Sequence, residues 1–181
     1  MFFAILFTFF INLLAFLGKL LYIWLMHLVK TVGGHKVEAI IEPVTTTDFR
    51  TIKKSKRFPD FNWDKEKKNE VYKLRLLESE AILGLMSLVY FENWIKINLL
   101  QSSIENIGEE KKYDRIAGCL IAYACRIAFR KGFDGFVALE PKTTLAQHYI
   151  NKYNFQICGR HINTELGNSE LLIQEYLNDD Q

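Results

Sequence analysis

Apolar residues are distributed along this chain in three different patterns, and each predicts a different kind of element. Residues 1 to 18, "MFFAILFTFFINLLAFLG", carry no charge, and after Lys19 the run continues as "LLYIWLMHLV" to Lys30. An uncharged run of about 18 residues has the length of a membrane span. Nothing basic precedes it and no small-x-small cleavage site follows, which argues against a secretory signal. Lys19, Lys30 and Lys36 all follow the run, so the positive-inside rule places the rest of the chain in the cytoplasm. Tyr22, Trp24, His27 and Lys30 suit a tilted extension of the helix or a segment lying in the interface. The alternatives are a buried N-terminal helix of the globular fold, in a cytoplasmic protein, or a start codon placed too early. The paired glycines of "TVGGHK" then predict a hinge, dividing an anchor over residues 1–35 from a globular domain over 36–181.

The second pattern has a period of two. "KVEAIIEPV" alternates like a strand, and "TTTDFRTIKKSK" follows as a helix that threonine can cap. Lys53 to Asn69 is polar, interrupted by Pro59, and reads as a surface loop or broken helix. "VYKLRLL" and "ILGLMSLVYF", joined by "ESEA", predict a hairpin. "WIKINLLQS" adds a third strand, with Ile95, Ile97 and Leu99 expected on one face.

A helical period follows. Ile116, Leu120, Tyr123 and Ile127 recur at steps of four, three and four, with Ile121, Cys125 and Phe129 widening the stripe and Gly132 ending it. "GFVALE" is a short strand bounded by Pro141, "TTLAQHYINKY" a helix, "NFQICGRHI" a strand, and "NSELLIQEYL" a closing helix capped by Asn168 or Ser169. This order describes an α/β domain around one sheet.

Charge and cysteine content narrow the function classes. Residues 1–35 contribute two lysines and no acids, so the rest of the chain holds 21 basic and 21 acidic side chains. Such neutrality lacks the basic excess of a nucleic-acid binder, and no nucleic-acid partner is expected. Cys119, Cys125 and Cys158 have no metal-ligand spacing and read as reduced core thiols, with no metal expected.

The stretch "KKYDRIAGCLIAYACRIAFRKGFDG" places Ala117 and Gly118 at a helix start just after basic residues. Free N–H groups and the positive dipole end make such a start an anion site, although small residues there also serve plain helix packing. Strand, basic loop and helix, then "KGFDGFVALE" and "HYINKYNF", resemble the GNAT superfamily of acetyl-CoA-dependent N-acyltransferases over roughly residues 37 to 177. "NIG..K.Y..IAG.LIA.AC" with "KT.L..HY" is similar to a narrower group of small bacterial GNAT-like proteins. The resemblance implies a mixed, mostly antiparallel sheet flanked by helices, and acetyl-CoA as co-substrate.

In that family the loop reads Q/R-x-x-G-x-G/A and binds the pyrophosphate of coenzyme A. Carried onto this chain, the site comprises Lys112, Tyr113, Asp114, Arg115, Ile116, Ala117 and Gly118. Lys112 stands for Q/R, Ala117 for the last small residue, and Arg115 for the glycine between them; its guanidinium fork would suit phosphate. A second register, starting at Arg115, keeps Gly118 but puts Leu120 at the final small position. The backbone of Leu99, Leu100 and Gln101 is expected to pair with the pantetheine arm.

Three residues are candidates for catalysis. Tyr149 corresponds to the family's general acid, although it lies five residues before Asn154, where the family has a glycine four residues on. Glu140, at a strand end, would orient the amine, and His148 is a candidate base, expected about 100° around the helix from Tyr149. Lys142 and Thr143 would bind cofactor or cap the next helix. Ser102 and Ser103 lack a nucleophile elbow. The acceptor pocket is expected around Phe58 to Lys68. The resemblance thus implies acetyl transfer to an amine, with a non-catalytic, membrane-tethered GNAT-fold module as the alternative.

Overall fold

The computed structural model describes residues 25 to 177. The uncharged run of residues 1–18 and its expected membrane span lie outside them. Among the described residues no helix is long and apolar enough to cross a membrane. The expectation that the N-terminal helix extends to Lys30, or lies in an interface there, is corrected. Leu25–Lys30 is a strand, β1, paired antiparallel with β2, Lys36–Pro43, from Leu25 opposite Ile40 to Val29 opposite Lys36. "TVGG" is accordingly a hairpin turn and not a hinge between domains. Its backbone needs glycine, because Gly33 and Gly34 have φ of 86° and 67°. Met26 and Leu28 alternate into the core, so this apolar segment satisfies its backbone by pairing across a sheet.

Among the described residues nine strands form one sheet in the order β6-β1-β2-β3-β4-β5-β7-β9-β8. Besides β1 and β2 these are β3, Glu70–Leu76; β4, Ile82–Tyr90; β5, Ile95–Ser102; and β6, Tyr113–Asp114. The C-terminal strands are β7, Val137–Leu139; β8, Gln156–Cys158; and β9, His161–Thr164. The hairpin and third strand expected from Val71 onward are present as β3 to β5. "NFQICGRHI" is two strands around Gly159, not one, and Cys158 stands exposed on the edge strand while Cys119 and Cys125 are buried.

Every neighbouring pair is antiparallel except β5 and β7. That parallel pair extends only from Ile95 opposite Val137 to Ile97 opposite Leu139. Two residues later β7 has ended while β5 runs on to Ser102, so the sheet splays. A bulge marks the same place. Ser87 pairs with Leu99 but Leu88 with Ile97, leaving Asn98 as the extra residue of β5. Leu99 consequently turns to the face opposite Ile95 and Ile97, correcting the expectation that the three share one.

Helices cover both faces. Helix α1, Thr46–Ser55, is capped by Thr45 and Asp48 in a reciprocal box. With the 3-10 helix Trp63–Lys68, α1 buries Phe49, Ile52, Phe58 and Trp63 against Val71, Ile82 and Leu85. Lys73 ties α1 to the sheet, 2.8 Å from Asp48 and 3.2 Å from Glu42. On the opposite face lie α2, Ile116–Arg130, and α4, Leu166–Leu177. Helix α3, Thr143–Tyr153, lies beside the splay and adds Tyr149 and Tyr153 to that cluster. Asn168 and Ser169 fall inside α4 and do not cap it; Ser169 Oγ donates to the Gly135 carbonyl at 2.8 Å.

Candidate active site

The splay between β5 and β7 opens a groove made of two adjoining cavities. The larger, about 400 Å³, lies between β5, the start of α2 and one face of α3, and its walls include Leu100, Gln101, Tyr113 to Ala117, His148 and Tyr149. The smaller, about 240 Å³, runs along Ile97 to Leu100 and past Glu140. Leu100, Leu145, Tyr149 and Asp60 border both. Tyr149 therefore stands where the two cavities meet. Among the described residues no strand pairs with β5 on this side beyond Ile97, so the backbone of Leu99 to Gln101 presents a free edge.

At the start of α2 the first intrahelical bond shown runs from Cys119 N–H to the Arg115 carbonyl, 2.8 Å. The amides of Ile116, Ala117 and Gly118 precede it and have no carbonyl one turn back within the helix. Arg115 itself is the N-cap with φ of 77°. That left-handed conformation costs an L-residue about 1–2 kcal/mol and is one that glycine adopts freely. The expected phosphate contact of Arg115 is corrected in part. Although it borders the larger cavity, its guanidinium donates to the Glu175 carbonyl and lies 5.1 Å over the Tyr176 ring, closing the end of α4.

Of the two reasons for a small residue at Gly118, helix packing is the one the geometry supports. A Cβ built there would lie 2.1 Å from Tyr176 Cε1, so its missing side chain makes room for α4. Gly84 acts likewise beneath α2, where a Cβ would meet Ile116 Cγ2 at 2.5 Å. Lys112 is displaced from the expected site. It lies at a separate depression with Lys30, Thr31 and Val32, and its carbonyl accepts from Thr31 N–H at 3.1 Å.

Two cations that the sequence reading passed over border the larger cavity. Lys111 Nζ is 3.0 Å and Lys152 Nζ 3.7 Å from Asp114 Oδ1, which also accepts the Arg115 N–H at 2.8 Å. Burial would raise the Asp114 pKa, but these donors outweigh it and hold the carboxylate below its usual range. Asp114 thus sits as an internal anion among the groups a phosphate would use. The spacing Leu145, His148, Tyr149, Lys152 on one helix face was the available signal for Lys152.

The catalytic candidates are distributed over both cavities. Burial pushes the Tyr149 pKa up, so its hydroxyl stays protonated at neutral pH, and it makes no hydrogen bond to a described residue. His148 was expected to face elsewhere; both residues border the larger cavity, their ring centroids 6.0 Å apart. Asn154 ends α3 with φ of 52°, the left-handed position that glycine fills in the expected pattern. Glu140 borders the smaller cavity, half exposed, with Lys96 Nζ at 3.4 Å.

Behind the groove lies a carboxylate that no pattern in the sequence singled out. Glu66, inside the run "KEKK", is buried and accepts from Ser87 Oγ, Asn69 Nδ2 at 2.8 Å and Asn98 Nδ2 at 2.9 Å. Burial raises its pKa, yet these bonds prevail and lower it overall. It pins the bulge residue at the mouth of the splay. Gln101 is also buried; its Oε1 accepts from Trp63 Nε1 at 3.1 Å, while its Nε2 has no partner among the described residues.

No family model matches the sequence, and no curated protein matches it. Solved structures do. The ribosomal-protein-S18-alanine N-acetyltransferase from Escherichia coli superposes with a TM-score of 0.52 at 11% identity, over 69% of this chain and 89% of that one. The AtaT–AtaR complex bound to DNA gives 0.52 at 16% identity, over 73% and 97%. The PaiA N-acetyltransferase from Thermoplasma acidophilum in complex with coenzyme A gives 0.49 at 15% identity, over 71% and 98%. The fold of this chain is that of the GNAT acetyltransferases.

Proposed function

We propose that the chain is an N-acyltransferase that moves an acetyl group from acetyl-CoA to an amine. The observation that carries this reading is the splayed, parallel β5–β7 pair, which leaves a free strand edge leading from Tyr149 to the start of α2. The groups present fit the cofactor. A pantetheine arm carries amides able to pair with the edge of Leu99 to Gln101, and a pyrophosphate suits the first amides of α2 with Lys111 and Lys152. The unpartnered Gln101 Nε2 is a further buried donor beside the larger cavity.

The thioester supplies an acyl carbon open to attack by a neutral amine. Glu140 takes up the proton the amine loses, directly or through water, and His148 stands as the second candidate base. The Tyr149 hydroxyl, kept protonated by burial, donates its proton to the sulfur as the C–S bond breaks. Phe61, Leu99 and Leu139 border the smaller cavity and restrict water there.

Calorimetry with acetyl-CoA on the full chain tests this reading, with Asp114→Asn as the second arm. Binding by the wild type is expected. Asp114→Asn should bind roughly three- to tenfold more tightly, because a unit negative charge leaves the phosphate position while the lysines stay. Absence of binding by both proteins would overturn the proposal and favour a non-catalytic module whose loop no longer accepts phosphate.

A further inference from the structure

The face formed by α1 and the 3-10 helix after it carries a charge pattern that acyl transfer leaves unused. Residues 46–68 hold eight Lys and Arg against four Asp and Glu, whereas residues 69–181 hold 12 against 15. Overall neutrality therefore conceals a short basic segment set against an acidic remainder, and folding sharpens the contrast. Of the four acids, Glu66 is buried against Asn98 and Asp48 is held by Lys73. Asp64 is shared between Lys53 at 3.0 Å and Lys67 at 2.6 Å, and Asp60 borders the groove. Arg50, Lys54, Lys56, Lys65 and Lys68 stand exposed, with no salt bridge to a described residue.

A concave feature accompanies the cations. A cavity of about 430 Å³ lies between α1 and the following loop, bordered by the half-buried Phe61 ring, the edges of the buried Phe58 and Trp63, and Lys53, Lys56 and Asp64. Phe61 also borders the smaller cavity of the groove, beside Tyr149 and Glu140. A ligand held on this face therefore ends next to the transfer site.

We propose that this face binds single-stranded RNA and presents the acceptor amine to the groove, an inference that rests on the acyl-transfer reading. Phosphates would be held by the exposed cations, and an end nucleotide would enter the cavity beside the Phe61 ring. An anionic lipid surface fits less well. Such a surface is gripped by apolar side chains protruding among cations, and the large hydrophobics exposed among the described residues, Val32, Phe91, Ile157 and Leu171 included, all lie outside residues 46–68.

Fluorescence anisotropy of the full chain with a labelled single-stranded RNA of about 20 nucleotides tests the proposal. Binding should weaken roughly 10- to 50-fold between 50 and 200 mM KCl, the slope for three or four released counterions. The combined change Lys54→Glu, Lys65→Glu and Lys68→Glu should weaken it at least roughly tenfold while leaving melting temperature and acetyl-CoA affinity unchanged. Arg160→Glu, exposed in the β8–β9 turn, should alter it less than about twofold. RNA binding that ignores the triple change, or no binding, overturns the proposal. Capture by phosphatidylserine vesicles in place of RNA overturns it in favour of lipid. If acetyl-CoA binding alone is absent, the acyl-transfer reading fails while the anisotropy still reports on the face.

Discussion

Gly118→Val is expected to destabilise the fold rather than selectively abolish cofactor binding. The first atom added would lie 2.1 Å from Tyr176 Cε1 and 2.5 Å from its Cδ1, far inside contact distance, and valine adds two more. Tyr176 has little room to retreat, being 3% exposed with Tyr153 at 6.0 Å and the Arg115 guanidinium over its ring. Overpacking of this kind costs about 3 kcal/mol, which lowers the melting temperature by roughly 6–12 °C for a chain of this size. Tyr176→Ala in the same background should recover part of the loss by opening space. An unchanged melting temperature with lost acetyl-CoA binding would return Gly118 to the phosphate site as its reason for being small.

The second large effect concerns chemistry. Tyr149→Phe should keep acetyl-CoA affinity within about twofold and lower turnover by roughly 10² to 10⁴, or about 3–5 kcal/mol of barrier, the loss of a general acid. Because the hydroxyl bonds to no described residue, its removal should leave stability nearly unchanged. His148→Ala is the comparison, since both side chains border one cavity. A large loss at His148 with none at Tyr149 would transfer the acid role to the histidine.

The elements with strong local period were legible in the sequence. The stripe of Ile116, Leu120, Tyr123 and Ile127 is the α2 surface facing the sheet and its neighbours, and the alternation from Val71 onward is the hairpin of β3 and β4. What was misread depends on partners far away in the chain. An apolar stretch such as Met26 to Val29 has the same texture in a span as in a strand, and only β2 and β6 decide between them. Leu99 changed face because one extra residue at Asn98 reverses the alternation, and that bulge is held by Glu66, thirty-two positions earlier. Gly118 looked like a phosphate residue because local sequence cannot show Tyr176 across the helix pair. Lys111 and Lys152 were missed because they meet only at Asp114, where the loop before α2 approaches the last turn of α3. Net charge hid the basic face for a related reason: a sum over the domain erases the segregation that folding exposes.

Amide hydrogen exchange of the full chain with and without acetyl-CoA reports whether the cofactor occupies the splay between β5 and β7. Slowed exchange is expected at Leu99 to Gln101 and at Ile116 to Gly118, with α1 unaffected. Protection absent from both of those segments while acetyl-CoA is bound would contradict it, because the cofactor would then lie somewhere other than the splay between β5 and β7.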